Sequence, residues 1–251
     1  MRLINELNNS TPNILYILTS ERYTQLFSSL NYRFIIYQCS GSPKWGNKLG
    51  ALPENHLITN NILPNTIPDI VLCFDKTKHY NICKSIADKY GTSLVLYEDT
   101  VYDEKSYDLL SNQQYSGVAC SSKEHAALWG FKKYSVLPLA PLNNKPKCDH
   151  SIYVHASSDF SSTGTLIDKM NDGRCVIAPA IWENLRLINN GVNGYLYNIN
   201  DPSSVQKIFN KLNTNEDLRE IVGLNAQETI KQKYNFNQFK TAFDNLVLEY
   251  K

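Results

Sequence analysis

IVLCFDKTKHYNICKSIADKYGTSLVLY, residues 70–97, decides the fold. Its two ends, IVLCF (70–74) and SLVLY (93–97), are apolar runs without polar alternation, the pattern of strands covered on both faces. Between them KHYNICKSIADKYG (78–91) places Tyr80, Cys83, Ile86 and Ala87 on one helical face and stops at Gly91. Strand, amphipathic helix and strand make a β-α-β unit, which requires parallel pairing and a right-handed crossover.

The same rhythm extends outward. ILYIL (14–18) and FII (34–36) precede the unit, and GVAC (117–120) and SVLPL (135–139) follow it, with KEHAALWG (123–130) a short helix stopping at Gly130. This order predicts an α/β, doubly wound parallel sheet. After Ala140, PLNNKPKCD brings two prolines and reads as a linker. A second series follows: IYV (152–154), a helix over about 163–172, CVIAPA (175–180) and GYLYN (194–198). Asp201-Pro202 then caps and opens a helix. Leu218, Ile221, Val222 and Ile230 mark another apolar face, and Phe236, Phe239, Phe243, Leu246, Val247 and Tyr250 a third. The division expected is a lobe over 1–140, a linker over 141–150, a second, shorter lobe over 151–235, and a C-terminal helix over 236–251 packing back on the body.

Composition narrows the function classes. Over 251 residues, 42% hydrophobic and 20% charged content fits a globular chain and excludes a disordered or collagen-like one. Lys plus Arg number 25 against 24 Asp plus Glu, a net charge of +1, so no basic excess points to nucleic acid. No apolar run reaches the roughly 18 residues of a membrane span, and the first residues, MRLINELNNSTPN, lack the apolar core of a signal peptide. The expectation is a cytoplasmic protein without a membrane span. Six scattered cysteines form no C-x-x-C pair and read as buried free thiols.

Ligands of open α/β sheets bind beyond the carboxyl ends of the strands. Those positions hold Thr19-Ser20-Glu21-Arg22, Asp75-Lys76-Thr77-Lys78-His79 and Glu98-Asp99. Glu98 and Asp99 are candidate bases for an acceptor hydroxyl, or else they cap the next turn. GSPKWGNKLG (41–50) is a loop with Lys44, Trp45 and Lys48; these three, with Lys76 and His79, are the candidate acceptor contacts. In the second series, Ser157, Ser158, Ser161, Ser162, Thr163 and Gly164 lie between a strand and a helix. Hydroxyls, free N–H groups and a helix dipole meet there, a combination suited to phosphate oxygens, although capping alone also explains the serines. Asp168, about one and a half turns along, either accepts ribose hydroxyls or faces water.

Cys148 to Asn198 resembles the donor-site half of the GT-B nucleotide-sugar glycosyltransferases of the retaining, glycogen-synthase-like group. The likeness rests on the strand with its Ser-bearing turn, on Asp168-Lys169-Met170-Asn171-Asp172-Gly173 and on Leu187-Ile188-Asn189-Asn190-Gly191-Val192-Asn193-Gly194. GVACSSKEHAALWGFKKYSVLPLAP is similar to the end of the family's acceptor lobe, and DPSSVQKIFNKLNTNEDLREIVGLNAQETIKQKYNF to its terminal helices. The sequence departs from the family in four places. Phe160 stands where the first acidic residue belongs, with Asp159 beside it. Arg186 replaces an acidic residue, with Glu183 nearby. The first strand lacks the glycine-rich turn, and the donor lobe is abbreviated.

The resemblance implies two Rossmann-like lobes facing a cleft, and transfer of a sugar from a nucleoside diphosphate sugar to a hydroxyl acceptor. It assigns donor contacts to Ser157, Ser158, Ser161, Ser162, Thr163, Gly164, Asp168, Arg186, Asn193 and Gly194. No D-x-D pair occurs, so no metal and no further cofactor are expected. A sugar-nucleotide epimerase or hydrolase, or a non-catalytic binding module, fits the same frame. The acceptor class stays open. A viral or phage enzyme acting on DNA bases is compatible, but the neutral charge gives nucleic acid no electrostatic support.

Overall fold

The computed structural model describes residues 11–99, 104–142, 150–156 and 163–251. Two compact units emerge, one of Met1–Pro138 with Lys240–Lys251 and one of Leu139–Phe239.

In the first unit the elements are β1 (Asn13–Tyr16), α1 (Glu21–Phe27), β2 (Arg33–Tyr37), β3 (His56–Thr59), β4 (Ile70–Cys73), α2 (Tyr80–Tyr90), β5 (Ser93–Glu98), α3 (Glu104–Ser111), β6 (Gly117–Cys120), α4 (Lys123–Leu128) and β7 (Ser135–Val136). All pairings are parallel and the sheet order is β3-β2-β1-β4-β5-β6-β7. The order reverses between β1 and β4, and that switch point is where an open sheet offers its binding crevice.

Burial on both faces explains the unbroken apolar strands: Ile14, Leu15, Ile70, Val71 and Val95 are fully buried. Helix α2 buries Cys83, Ile86 and Ala87 and ends at Gly91, whose φ of +66° suits a residue without Cβ. SVLPL shortens to the two residues of β7, because Pro138 has no N–H for a ladder. The sequence reading omitted β3, α1, α3 and α6.

The second unit contains β8 (Ile152–Val154), α5 (Thr163–Asn171), β9 (Cys175–Pro179), α6 (Trp182–Leu187), β10 (Tyr195–Tyr197), α7 (Pro202–Asn213) and α8 (Glu216–Lys233), and the start of α9 (Phe236–Tyr250). Its parallel sheet runs β10-β9-β8. Leu166, Ile167 and Met170 of α5 and Ala226 and Ile230 of α8 close over Val176 and Ala178. Asp201 caps α7 through the Ser203 N–H, as its Asp-Pro pair predicts.

The last residues of α9 belong to the first unit. Phe243 is fully buried, its ring centre 5.2 Å from that of Phe27 and 5.9 Å from that of Phe34. Tyr32 donates its hydroxyl to Asp244 at 2.7 Å. These rings join Tyr16 in an aromatic core whose members each bury on the order of 150–250 Å².

Candidate functional site

Each unit presents the carboxyl ends of its strands as one edge. In the first, the residues that follow β1, β2, β4 and β5 meet there. Tyr23, on the first turns of α1, stacks on Phe74 with centroids 4.6 Å apart and donates its hydroxyl to Asp99. Phe74 follows β4 and Asp99 follows β5, so three chain segments are tied together beside the switch point. Burial pushes the Tyr23 phenol well above its ordinary range, and the Asp99 charge pushes it further. Asp99 itself is half-buried.

Glu98 differs from its neighbour. It is 2% exposed, and its carboxylate lies 2.5 Å from the Lys76 ammonium, itself 8% exposed. Lys76 sits 4.1 Å over the ring centre of the buried Trp129 of the α4 C-cap, a cation–π contact in a dry setting. The Gln113 amide donates to the Lys76 carbonyl at 3.0 Å. The sequence reading offered Glu98 as a candidate base or turn cap and Lys76 as a candidate acceptor contact; the structure joins the two in one buried ion pair. His79, another candidate acceptor contact, is 6% exposed. Burial lowers its pKa, with Asp75 pulling the other way.

The loop of Lys44, Trp45 and Lys48 is where the sequence places it, on the carboxyl side of β2. Both carboxylate oxygens of Glu21 hold it, accepting from the backbone N–H of Gly46 at 2.6 Å and of Leu49 at 3.1 Å. Glu21 opens α1, so this clamp fixes the loop to the end of β1. The sequence lists Glu21 as a rim residue without showing the clamp. Tyr23 and Trp129 lacked any pattern that separates them from ordinary core aromatics.

In the second unit, β8 leads past His155, which is 4% exposed and donates its backbone N–H to the Ile177 carbonyl at 2.7 Å. Ser157, Ser158, Ser161 and Ser162 lie outside the described residues, as do Asp159 and Phe160. Thr163 and Gly164 are buried at the start of α5, on the carboxyl edge. Asp168 is half-buried, and one of its oxygens accepts the Leu142 backbone N–H at 2.8 Å.

Two further donor candidates, Asn193 and Gly194, are not brought to that edge. The turn Asn189–Gly194 precedes β10, so in a parallel sheet it lies at the amino edge, about 16 Å away along the five residues of β9. Asn193 is consumed there: its side-chain oxygen accepts from the Asn189 N–H at 2.7 Å, and its amide donates to the Leu187 carbonyl at 3.2 Å and to Thr229 at 3.0 Å. Gly194 permits close approach to β9, since a Cβ would meet Val176 Cγ2 at 2.8 Å. Arg186 is exposed on α6, stacked 4.7 Å over Trp182, and lines a groove of about 620 Å³ shared with Asn193 and Lys233. Asn193 and Gly194 therefore belong to a turn at the opposite edge from Thr163, and Arg186 to a groove that reaches this turn.

Among the described residues no group of three His, Cys, Asp or Glu side chains is disposed to hold a metal ion, and no helix is long and apolar enough to cross a membrane. Cys39, Cys73, Cys83, Cys120 and Cys175 are free thiols. Burial, with the Glu98 and Asp99 charges behind it, pushes the Cys120 thiol up to about 12.

No protein-family model matches the chain. An uncharacterised glycosyltransferase of Methanocaldococcus jannaschii is 30% identical over 101 residues, 38% of this chain, and the match spans 26% of that relative's length. Among solved structures, Anabaena HepE in complex with UDP and glucose superposes with a TM-score of 0.67 at 9% identity, covering 94% of this chain and 99% of HepE. A glycosyltransferase of Rickettsia africae gives 0.58 at 14% identity, covering 96% and 98%. Sucrose-phosphate synthase of Thermosynechococcus elongatus gives 0.56 at 9% identity, covering 96% and 99%. Two parallel α/β units in succession, matched over nearly the whole chain, give this protein the fold of the GT-B glycosyltransferases.

Proposed function

We propose that the chain transfers a sugar from a nucleoside diphosphate sugar to a hydroxyl acceptor, without a divalent metal. The observation that carries this reading is the near-complete match to HepE, solved with UDP-glucose as well as with UDP and glucose. The buried Thr163 and Gly164 start α5 at the carboxyl edge, where N–H groups and the helix dipole favour a diphosphate. Ser157, Ser158, Ser161 and Ser162 complete that turn in the sequence. Asp168 reaches the ribose only by sharing its carboxylate with Leu142.

Of the two carboxylates after β5, Asp99 is the base this reading favours, since Glu98 is paired inside the unit with Lys76. The acceptor oxygen forms a bond to the anomeric carbon, the carbon–oxygen bond to the diphosphate breaks, and the hydroxyl proton passes to Asp99. Preorganised N–H groups at the α5 start offset the charge of the departing diphosphate. A single displacement of this kind inverts the anomeric centre, in contrast to the retaining group the sequence resembles, and analysis of the product anomer decides between them. The free cysteines suit a reducing, cytoplasmic compartment.

A second reading, a non-catalytic module with this fold, is favoured by how many candidate side chains serve the fold itself: Glu98, Asn193 and one oxygen of Asp168. The test is release of nucleoside diphosphate from UDP-, GDP-, ADP- and dTDP-sugars with chelator present. Release that depends on added acceptor supports transfer, release without acceptor supports hydrolysis, and no release supports the module.

A further inference from the structure

Charge at the carboxyl edge of the first unit is sorted. The carboxylates after β1, β4 and β5 point into protein contacts. Glu21 holds the backbone of Gly46 and Leu49. Asp75 accepts from the Thr77 hydroxyl at 2.7 Å and from the Thr77 and Lys78 N–H groups at 3.0 and 2.9 Å. Burial works against the Asp75 charge, but these bonds hold its pKa below the ordinary carboxylate value. Glu98 is inside with Lys76, and Asp99 takes the Tyr23 hydroxyl. Lys44, Lys48 and Lys78 do the opposite: all are exposed, and none has an ion-pair partner among the described residues.

The loop that carries two of these lysines is built rather than slack. Besides the Glu21 clamp, the Trp45 indole donates to the Asn47 side chain at 2.6 Å, and Ser42 both accepts from the Cys39 N–H and donates to its carbonyl. Gln25 of α1 donates to the Ala51 carbonyl at 3.3 Å. Asn47 holds a φ of +57°, a left-handed conformation uncommon outside glycine. The loop has no buried apolar core of its own, so this scaffolding does not serve packing; it holds a shape. A shaped, exposed loop on a rigid sheet edge is where binding residues concentrate.

We propose that this loop is an anion-recognition surface, with the exposed Lys44 and Lys48 gripping a phosphate group and the half-buried Trp45 between them contacting an attached sugar. For the transferase reading, on which this part rests, the consequence is an acceptor that carries phosphate beside its hydroxyl. Lysine ammonium groups on flexible stems suit a phosphate as point charges.

Isothermal titration of the full chain with glucose 6-phosphate and with glucose tests the surface, and Lys44→Gln/Lys48→Gln tests its location. Lys132→Gln, at an exposed lysine elsewhere, is the control. The expected result is binding of glucose 6-phosphate and not of glucose, weakened about tenfold or more in the double variant, unchanged in the control, and falling with salt. A phosphate carried on a lipid would appear instead as lysine-dependent flotation with phosphatidylglycerol vesicles but not with phosphatidylcholine alone. Equal binding of glucose and glucose 6-phosphate, or no effect of the double variant on either probe, overturns the proposal. Failure of every nucleoside diphosphate sugar to bind would overturn the transferase reading and leave lysine-dependent phosphate binding intact.

Discussion

Replacing Glu98 by Gln separates a base from a structural ion. The side chains of Lys76 and Glu98 are 9% and 3% exposed, and the ammonium rests over Trp129. Removing the carboxylate charge leaves an ammonium in a dry site, which costs about 3–5 kcal/mol. For a chain of this length each kcal/mol lowers Tm by about 2–4 °C, so the unfolding of the first unit should fall by roughly 6–20 °C. Replacing both members, Lys76→Met with Glu98→Leu, removes the stranded charge and should recover most of the loss. A double-mutant cycle of Lys76→Met and Glu98→Leu in urea, followed by tryptophan fluorescence, should therefore give a coupling of about 2 kcal/mol or more. Any transfer activity of Glu98→Gln should track its folded fraction. Wild-type stability in Glu98→Gln, with activity abolished, would refute the reasoning and restore Glu98 as a base.

Two further outcomes follow from buried groups. His56 is stacked on Phe34, and burial lowers its pKa to about 3. The native ring stays neutral while the unfolded one protonates below about 6.5, so this contribution to stability is complete above pH 6.5 and is lost as pH falls toward 3. By pH 5 the loss is about 2 kcal/mol, and His56→Phe should reduce the acid sensitivity by that amount; equal sensitivity in both proteins contradicts it. His79 and His155 shift in the same direction, and the lowered carboxyls of Asp75 and Asp244 add to the acid sensitivity. Asn193→Ala should cost about 1–3 kcal/mol by leaving the Asn189 N–H and Leu187 carbonyl unpaired, with nucleotide-sugar affinity unchanged. A selective loss of donor affinity at unchanged stability would put Asn193 back in the donor site.

The sheets were legible because parallel strands buried on both faces leave unbroken apolar runs; Ile70–Cys73 and Cys175–Pro179 are buried at every position. β3 escaped because His56 and Thr59 bracket only two apolar residues. α1 escaped because Tyr, Thr and Phe are poor helix formers, and only the Ser20 cap and tertiary packing settle ERYTQLF as a helix. α6 has six residues, too few for a helical period to declare itself. Site residues were harder. The turn Asn189–Gly194 resembles a donor motif in sequence, yet strand direction puts it at the opposite edge from Thr163, which no local pattern reports. Glu98 and Asp99 are neighbours in sequence, but Glu98 ends β5 against Lys76 while Asp99, just beyond the strand, meets Tyr23.

The proposed transfer requires that this chain bind a nucleoside diphosphate sugar. Calorimetric titration of the full chain with UDP-glucose, and in parallel with GDP-, ADP- and dTDP-glucose, tests it most directly. The account predicts saturable one-to-one binding of at least one of the four with chelator present, displaced by the matching free nucleoside diphosphate. Absence of binding to all four, in protein shown to be folded, would contradict it.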